Sequence, residues 1–443
     1  MMSKVLNFID LPNLIKLSKQ NKSSINILLF SALLLPFSLV AGPFITEILI
    51  FLILFSFIWC QYKKREIISF NKLEILIFSF FFIIVISSVL SDHKLISLKS
   101  SFFSIRFIIL TYAIIFLLKN FKYFLKYFFI ASFLCVTITC IDGLIQFFFG
   151  KDIFLIPMQG QTTITGFFGD EKKLGSFLSR FFPILVGTYL LISKEKINKK
   201  IIKIIIYFIP FYAICLLTSE RVGMLYSIIT LICLMFFFSK YNKKVLLFFP
   251  IIIVIFPAIL YFNNIFLFKD MAIESYRQIF GFHGNQPSFF SKQHTVFAKT
   301  SIDLFKKNVA FGVGPNNFRR DCSSIKYEFK PDDVLDFQYI YHDDFPIQNC
   351  STHPHNIFFQ LISETGIFGI LHYFIIIILL FYETCKFLFK KNYCHIKFFF
   401  LLPIIYYVNP IIPSGNFFNN WYMAMGIIGL PFYLYLTKIK KSV

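Results

Sequence analysis

Long stretches without charge are the feature that most limits what this chain can fold into. Residues 27–45, 75–90 and 367–382 carry almost no charged side chains, and each covers most of the ~20 residues that a helix needs to cross a bilayer. Across the chain, 57% of the residues are hydrophobic and only 15% are charged, which is too little polarity for a water-soluble surface. The sequence therefore predicts an all-α integral membrane protein.

The formal net charge of +21 is explained by the positions of the Lys and Arg residues. They cluster in short connectors, each two apolar stretches from the next, at residues 63–65, 119–126, 194–200, 240–244, 386–397 and 438–441. This is the positive-inside pattern of cytoplasmic loops. The basicity indicates topology, with both termini in the cytoplasm, and we expect no nucleic-acid partner. The first 23 residues are expected to be a basic cytoplasmic tail without a cleavable signal peptide, followed by a first span that serves as a signal anchor.

About twelve spans fit these clusters, because an odd number would place some of them outside the cytoplasm. The predicted spans are residues 24–43, 46–62, 72–91, 102–119, 127–149, 174–193, 201–219, 222–239, 245–266, 367–386, 396–412 and 419–437. The longest connector has equal numbers of acidic and basic residues and is predicted to be periplasmic. Three regions follow: an N-terminal transmembrane region of about nine spans (1–266), a large periplasmic loop (267–354) and a C-terminal transmembrane region of about three spans (355–443).

Two of the nine cysteines lie in the large loop 267–354, the outer loop, where disulfides can persist. Cys322 and Cys350 are predicted to pair. The alternative is two free thiols.

Arg221 lies between two predicted spans with almost no loop around it. A guanidinium held at that depth is costly, and such residues usually face a polar cavity and bind a ligand. The alternative is an interfacial arginine that reaches the lipid headgroups or pairs with Glu220.

A glycine-containing segment in the outer loop ends in two arginines. Gly312 and Gly314 allow a close approach of the backbone, and Arg319 and Arg320 have the planar fork that binds phosphate oxygens. Gly-x-Gly is weak by itself, so ordinary loop structure is an equal alternative.

Two histidines precede the tenth predicted span. Pro354 favours an extended His353, so a helix is predicted to begin near His355. Glycines at 366 and 369 are expected to separate a short surface helix, residues 355–365, from the span.

An imidazole at a helix N-terminus is disfavoured in its protonated form. Neutral His355 could accept a proton from a sugar hydroxyl, and the same helix end favours an anionic pyrophosphate. One alternative is a structural histidine pair that caps a loop. Another is a metal site, although the candidate ligands have no recognisable zinc-ligand spacing; they are His342, Asp343, Asp344, His353 and His355.

Several common catalytic motifs are missing from the sequence. It has no Asp-x-Asp for a metal-bound nucleotide sugar, no P-loop and no Gly-x-Ser-x-Gly. A pyrophosphate-linked donor needs none of these, because its leaving group requires only charge neutralisation by arginines.

At these positions the chain resembles the O-antigen ligase and O-antigen polymerase family of bacterial membrane glycosyltransferases. The spacing from His355 to Gly366 and Gly369 follows the ligase pattern. The matching positions are Arg221 with Leu225, His355-Asn356 with Gly366 and Gly369, and the segments 312–315, 413–420 and 166–180. The resemblance covers about residues 160–443.

The resemblance implies a GT-C-like helical bundle in the bacterial cytoplasmic (inner) membrane. It also implies transfer of a glycan from undecaprenyl pyrophosphate to a sugar hydroxyl at the periplasmic face, without a metal or other cofactor. His355 would activate the acceptor hydroxyl, and Arg221 would hold the donor pyrophosphate. The expected partners are the lipid-linked glycan donor, a glycan or lipid A–core acceptor and membrane lipids. Further substrate contacts are expected from Arg319, Arg320, His294, His353, Asn356, Gly312 and Gly314.

One position departs from the family pattern. Many members carry a second loop arginine about eighteen residues before the Gly-x-Gly segment, where this chain has His294 nearby. Either His294 or the pair Arg319 and Arg320 would then supply the second phosphate contact.

Three functions are compatible with this sequence. The spacing favours a ligase over a polymerase that extends the glycan on its lipid carrier. A polysaccharide transporter would need charged residues inside the spans, and Arg106 and Asp142 are the main candidates.

Overall fold

The chain folds into a bundle of α-helices in a computed structural model that describes residues 23–64, 72–159, 163–262, 266–280, 290–325, 349–390 and 394–439. The helices before the outer loop are α1 Ser23–Ala41, α2 Pro43–Lys64, α3 Lys72–Leu90, α4 Lys94–Asn120, α5 Phe124–Phe149, α6 Leu174–Ile192, α7 Ile197–Leu217, α8 Arg221–Ser239 and α9 Val245–Phe262. The outer loop contributes α10 Phe266–Phe280, α11 Lys292–Lys307 and α12 Phe318–Asp321. The C-terminal helices are α13 Ile357–Phe389, α14 Ile396–Tyr407, α15 Asn420–Ile427 and α16 Leu430–Ile439.

Nine helices within the described ranges are long and apolar enough to cross a membrane: α1, α2, α4 to α9, and α13. The other predicted spans correspond to shorter helices. In α3 and α14 the apolar stretches are Glu74–Leu90 and Ile396–Tyr407, and the last predicted span is divided between α15 and α16. The predicted all-α, multispan membrane fold is confirmed, and a count of twelve spans stays a prediction.

A close contact between two glycines brings the N-termini of α6 and α8 together. A Cβ atom on Gly223 of α8 would lie 2.7 Å from the carbonyl carbon of Gly175 in α6, so only small residues permit this approach. Glu220, which precedes α8, accepts hydrogen bonds from the backbone N–H groups of Gly175 at 2.7 Å and Ser176 at 2.9 Å. Its carboxylate thereby caps the neighbouring helix, which fixes the start of α8 and with it Arg221.

Helix α13 contains the break that the sequence predicts. Gly366 has φ 65° and ψ −159° inside it, a conformation open to glycine and strained for other residues. The backbone N–H of Ile367 donates to the carbonyl of Val309 at 2.8 Å, so the break docks the outer loop. The first part of α13, residues 357–365, therefore carries the loop and the region around His355.

The two charges that a transporter would use have structural partners. Arg106 of α4 donates to Glu47 of α2 at 2.9 Å, and its guanidinium lies 4.4 Å from the Phe107 ring centroid. Asp142 of α5 accepts a hydrogen bond from the backbone N–H of Ile153 at 3.0 Å. The guanidinium of Arg106 and the carboxylates of Glu47 and Asp142 thus form contacts between segments of the protein.

A disulfide joins Cys322 to Cys350 in the outer loop, with 5.2 Å between their Cα atoms. Asn349 supports the junction by donating to the carbonyl of Cys322 at 3.2 Å. The bridge holds the end of α12 close to the residues that lead into His353. Residues 326–348 of the loop lie outside the described ranges.

Replacing Cys322 with serine should remove a change in gel mobility that the wild type shows on reduction. A bridge that closes 28 residues stabilises the folded loop by roughly 3–4 kcal/mol in the chain-entropy description. The oxidised wild type should migrate faster than the reduced form in a denaturing gel. Cys385→Ser, which changes a cysteine outside the bridge, should behave like the wild type. A wild type with the same mobility in both states would contradict the disulfide.

Candidate active site

His355 projects from a strained turn just before α13. Its φ is +56°, a left-handed conformation that is costly for a residue with a side chain and often occurs at functional sites. Asn356 follows as the N-cap of α13 and accepts from the backbone N–H of Phe359 at 3.2 Å. The Asn356 amide also donates to the carbonyl of Pro410 at 2.9 Å, so its side chain has a structural function. A contact between Asn356 and substrate stays a prediction.

Three histidine rings meet beside this turn. The ring of His355 lies 4.1 Å from that of His353 and 5.5 Å from that of His294, measured between centroids. His294 lies in the first turn of α11, far from the others in sequence. Phe297, one turn later, stacks on His355 at 5.6 Å and forms an apolar wall behind it.

Burial makes the histidines of this cluster weak bases. Desolvation, with a smaller contribution from neighbouring His355, lowers the pKa of His353 to about 3. Desolvation and then His294 lower the pKa of His355 to about 4. The pKa of His294 is also lowered, first by burial and then by the positive charge of Arg221. At neutral pH the rings are therefore uncharged, which is the form that can accept a proton.

Arg221 is the first residue of α8 and is exposed. Its Nη1 donates to the side-chain carbonyl of Gln278 in α10 at 2.8 Å. Pairing with Glu220 is ruled out as its main contact, because that carboxylate is bound to the N-terminus of α6. The positive charge of Arg221 contributes to the lowered pKa of His294. Arg221 therefore lies on the same side of the bundle as the histidine cluster.

Gly312 and Gly314 pack against the protein itself. A Cβ atom would lie 2.5 Å from the carbonyl oxygen of Ser363 at Gly312, and 2.4 Å from the hydroxyl of Ser97 at Gly314. Both residues have positive φ, 67° and 99°. Their observed function is close packing on α13 and α4, and a contact with substrate stays a prediction.

Two serine hydroxyls, one in α3 and one directly after it, donate hydrogen bonds to the backbone of the glycine segment. Ser87 donates to the carbonyl of Phe311 at 2.7 Å, and Ser91 donates to that of Val313 at 2.6 Å. No sequence pattern connects these serines, which lie more than 200 positions earlier, with the outer loop. They show that the segment before Arg319 is a fixed part of the bundle.

The two loop arginines differ in their surroundings. Arg319 donates from Nη2 to the side-chain oxygen of Asn316 at 3.0 Å, and that oxygen also accepts from Asn416 at 2.8 Å. The charge of Arg319 contributes to the lowered pKa of His353, so its guanidinium is close to the cluster. Both arginines are exposed, but the charge of Arg320 does not contribute to the lowered pKa of His353 or to that of His355.

A buried amide network forms the floor of the site. The Gln360 amide donates to Glu364 at 3.0 Å and to Asn416 at 2.8 Å, while its oxygen accepts from the backbone N–H of Phe417 at 2.8 Å. Glu364 accepts from the backbone N–H of Phe318 at 3.0 Å. This network joins α12, α13 and the turn 413–418, a function of Gln360 and Glu364 that the sequence analysis did not predict.

Arg180 is a buried arginine to which the sequence assigned no function. Its side chain is about 1% exposed, and it lies near the rings of Tyr226 and Tyr422, 5.2 Å and 5.0 Å from their centroids. Its Nη2 donates to the Tyr422 hydroxyl at 3.2 Å. Tyr422 in turn packs beneath Gly415, so Arg180 supports the turn 413–418.

The alternative of a metal site falls partly on residues outside the described ranges. His342, Asp343 and Asp344 belong to that part of the chain. Among the described residues, no group of three or more His, Cys, Asp or Glu side chains could hold a metal ion.

A family model described as O-Antigen ligase matches residues 205–374. Residues 205–374 belong to the O-antigen ligase family. The family resemblance inferred from the motifs is thereby confirmed for residues 205–374, whereas the segments 166–180 and 413–420 lie outside the match. No curated protein matches the chain.

The O-antigen ligase region contains most of the site. It begins within α7, includes Arg221, the three clustered histidines and the glycine segment, and ends within α13. The turn 413–418, which contacts His353 and His355, lies beyond the match. Helices α3 and α4, which hold the glycine segment, precede it.

Proposed function

We propose that this protein transfers a glycan from a polyprenyl-pyrophosphate carrier, undecaprenyl pyrophosphate, to a sugar hydroxyl on lipid A–core or a similar acceptor. The observation that carries the proposal is a cluster of three histidines around the strained His355. The charge of Arg221 lowers the pKa of His294 in this cluster, and that of Arg319 lowers the pKa of His353. The O-antigen ligase match supports the same reaction class. A charged diphosphate and a neutral alcohol are the two partners that such a site suits.

The reaction divides between the histidine and the arginines. His355 accepts the proton of the acceptor hydroxyl while that oxygen forms a bond to the anomeric carbon of the glycan. The bond from the anomeric carbon to the pyrophosphate oxygen breaks, and the lipid pyrophosphate leaves with the electron pair. Arg221 and Arg319 neutralise the negative charge that grows on the leaving group, which lowers the barrier most where water is excluded. In this proposal the chain itself supplies every group, without a metal or other cofactor.

The proposed location is the periplasmic face of the bacterial cytoplasmic (inner) membrane. The basic connectors support it, because they place both termini in the cytoplasm. The loop 267–354 then lies outside, between a transmembrane region of residues 1–266 and another of residues 355–443. Membrane lipids surround the bundle, and the lipid-linked donor reaches it within the same bilayer.

Arg319 is the better candidate for the second phosphate contact. His294 lies against His355 and is uncharged at neutral pH, so it cannot neutralise a phosphate. Arg319 is a permanent cation, held by Asn316 and close enough to influence His353.

Replacing Arg319 with glutamine should lower kcat/KM for the donor about tenfold, since a charged hydrogen bond contributes about 1.5–3 kcal/mol. The matched variant Arg320→Gln should change it by less than about threefold, because the charge of Arg320 does not influence the pKa of His353 or His355. Initial rates with extracted lipid-linked glycan as donor measure both. Equal effects of the two variants would contradict the choice of Arg319.

Deletion of the gene separates the ligase from the polymerase. Without a ligase, the cell should make lipid A–core that lacks polymer and should accumulate long lipid-linked glycan. Without a polymerase, the core should carry a single repeat unit. Lipopolysaccharide gels and lipid extracts measure both, with the restored gene as control. A normal profile in the deletion strain would contradict both functions.

A further inference from the structure

Ser414 is joined to the histidine turn by two hydrogen bonds. Its backbone N–H donates to the carbonyl of His355 at 2.8 Å. Its own carbonyl lies 3.2 Å from Nε2 of His353. The turn 413–418 thus contacts both ends of the short segment that projects His355.

The contacts of His353 determine which of its nitrogens carries the hydrogen. A carbonyl oxygen can only accept, so Nε2 of His353 must be the donor to Ser414. Nδ1 then carries no hydrogen and accepts from the Thr352 hydroxyl at 2.9 Å. Both nitrogens are therefore used within the protein, and the ring is about 8% exposed.

His355 needs support from its neighbours because its backbone is strained. A left-handed conformation of this kind costs roughly 1–3 kcal/mol and persists only where the surroundings enforce it. The Ser414 N–H holds the His355 carbonyl, and the ring of His353 lies 4.1 Å from that of His355. Loss of either contact would let the turn relax and move the imidazole.

We propose that His353 is a positioning residue: its hydrogen bond to Ser414 fixes the turn that projects His355, and His353 itself exchanges no proton. This inference rests on the proposed function of His355 as the base. It replaces the expectation that His353 binds substrate, because both of its nitrogens already have partners.

The charges around the cluster agree with a neutral His353. His355, Arg319 of α12 and His294 of α11 each lower the pKa of His353, after the larger effect of burial. A proton on His353 would also leave Nδ1 with a hydrogen directed at the Thr352 hydroxyl in place of the present contact. The ring is thus suited to a fixed hydrogen bond and unsuited to proton transfer.

Two substitutions separate positioning from chemistry. The amide nitrogen of His353→Gln can take the place of Nε2 and donate to Ser414, whereas that of His353→Asn reaches only the position of Nδ1. Gln should keep kcat within about threefold of wild type, while Asn should lower it about ten- to hundredfold by releasing the strained turn. The donor KM should stay the same in both variants. The assay uses lipid-linked glycan extracted from the deletion strain and purified lipid A–core.

Other outcomes overturn the proposal. If Gln and Asn both lose activity as completely as His355→Ala, then His353 takes part in proton transfer. If both keep full activity, the hydrogen bond to Ser414 has no effect on His355.

A second measurement needs no activity and so is independent of the proposed function. In protein labelled with 15N-histidine, the signals lost in His353→Gln identify the ring of His353. They should show a neutral ring with hydrogen on Nε2 from pH 5 to pH 8. Protonation in that range, or hydrogen on Nδ1, would refute the assignment even if transfer activity were never detected.

Discussion

Replacing His355 with alanine should reduce glycan transfer at least about 100-fold, which is the lower part of the range for loss of a general base. The alanine cannot take the proton of the acceptor hydroxyl, and His353 cannot replace His355, since both nitrogens of His353 have partners. The protein level and the pool of lipid-linked donor should stay normal. Gels of lipopolysaccharide from cells carrying the variant measure transfer, and immunoblots measure the protein.

A histidine outside the cluster provides the matched control. His93 also lies on the outer side and contacts Asp321 at 3.4 Å, so His93→Ala removes an imidazole without touching His355. That variant should attach glycan at a normal level. Normal attachment in His355→Ala would remove His355 from the mechanism, whatever the control shows.

The low pKa of His355 also sets the pH dependence of transfer. A general base works only when it is unprotonated, and the pKa of about 4 keeps it so at pH values where an ordinary histidine, with a pKa near 6.5, would be charged. The rate should therefore stay level as the pH falls from 7 to about 5.5 and decline only as it approaches 4. A decline centred near pH 6.5 would indicate a histidine that is exposed to solvent during the reaction.

Local features of the sequence predicted much of the fold. Apolar stretches become helices because lipid offers no partners for backbone groups, so each span must satisfy its own hydrogen bonds. Pro354 predicted a helix start near His355, two residues before the observed start at Ile357, and Gly366 predicted the break. These features depend on residues that are neighbours in the chain, which is why a single sequence reveals them.

Contacts between distant segments could not be predicted. The sequence left pairing with Glu220 as one alternative for Arg221, whereas the approach of Gly175 to Gly223 turns the carboxylate toward α6. It left the second phosphate contact open between His294 and the pair Arg319 and Arg320, whereas α11 packs its first turn on His355. In each case the outcome depends on how two helices pack, and nothing in the local sequence records that geometry.

The same limit applies to the glycines of the outer loop. Gly-x-Gly indicates only that a backbone must come close to something, and either a phosphate or another part of the protein satisfies that requirement. Here the observed neighbours of Gly312 and Gly314 are Ser363 and Ser97. The segment acts on the site through Arg319, which follows it on a fixed turn.

Replacing Arg221 with lysine should lower transfer about ten- to hundredfold, although the charge is kept. A lysine ammonium is a point charge, whereas the guanidinium is planar and can bind two phosphate oxygens while a third nitrogen stays bonded to a protein group. Nη1 of Arg221 already donates to Gln278 at 2.8 Å. This contact orients the plane of the guanidinium before the donor binds. A loss of one charged hydrogen bond, about 1.5–3 kcal/mol, accounts for the expected factor.

The outer helix α10 offers the control that separates geometry from charge. Arg277, the residue before Gln278, is exposed as Arg221 is. Arg277→Lys should leave transfer within about twofold of wild type, because no phosphate contact is proposed for Arg277. Rates with extracted donor should show the Arg221→Lys defect mainly in kcat, since the leaving pyrophosphate gains negative charge only as the glycosidic bond breaks. If Arg221→Lys were as active as Arg277→Lys, the guanidinium at the start of α8 would serve only to reach the lipid headgroups, and the donor pyrophosphate would have to bind elsewhere.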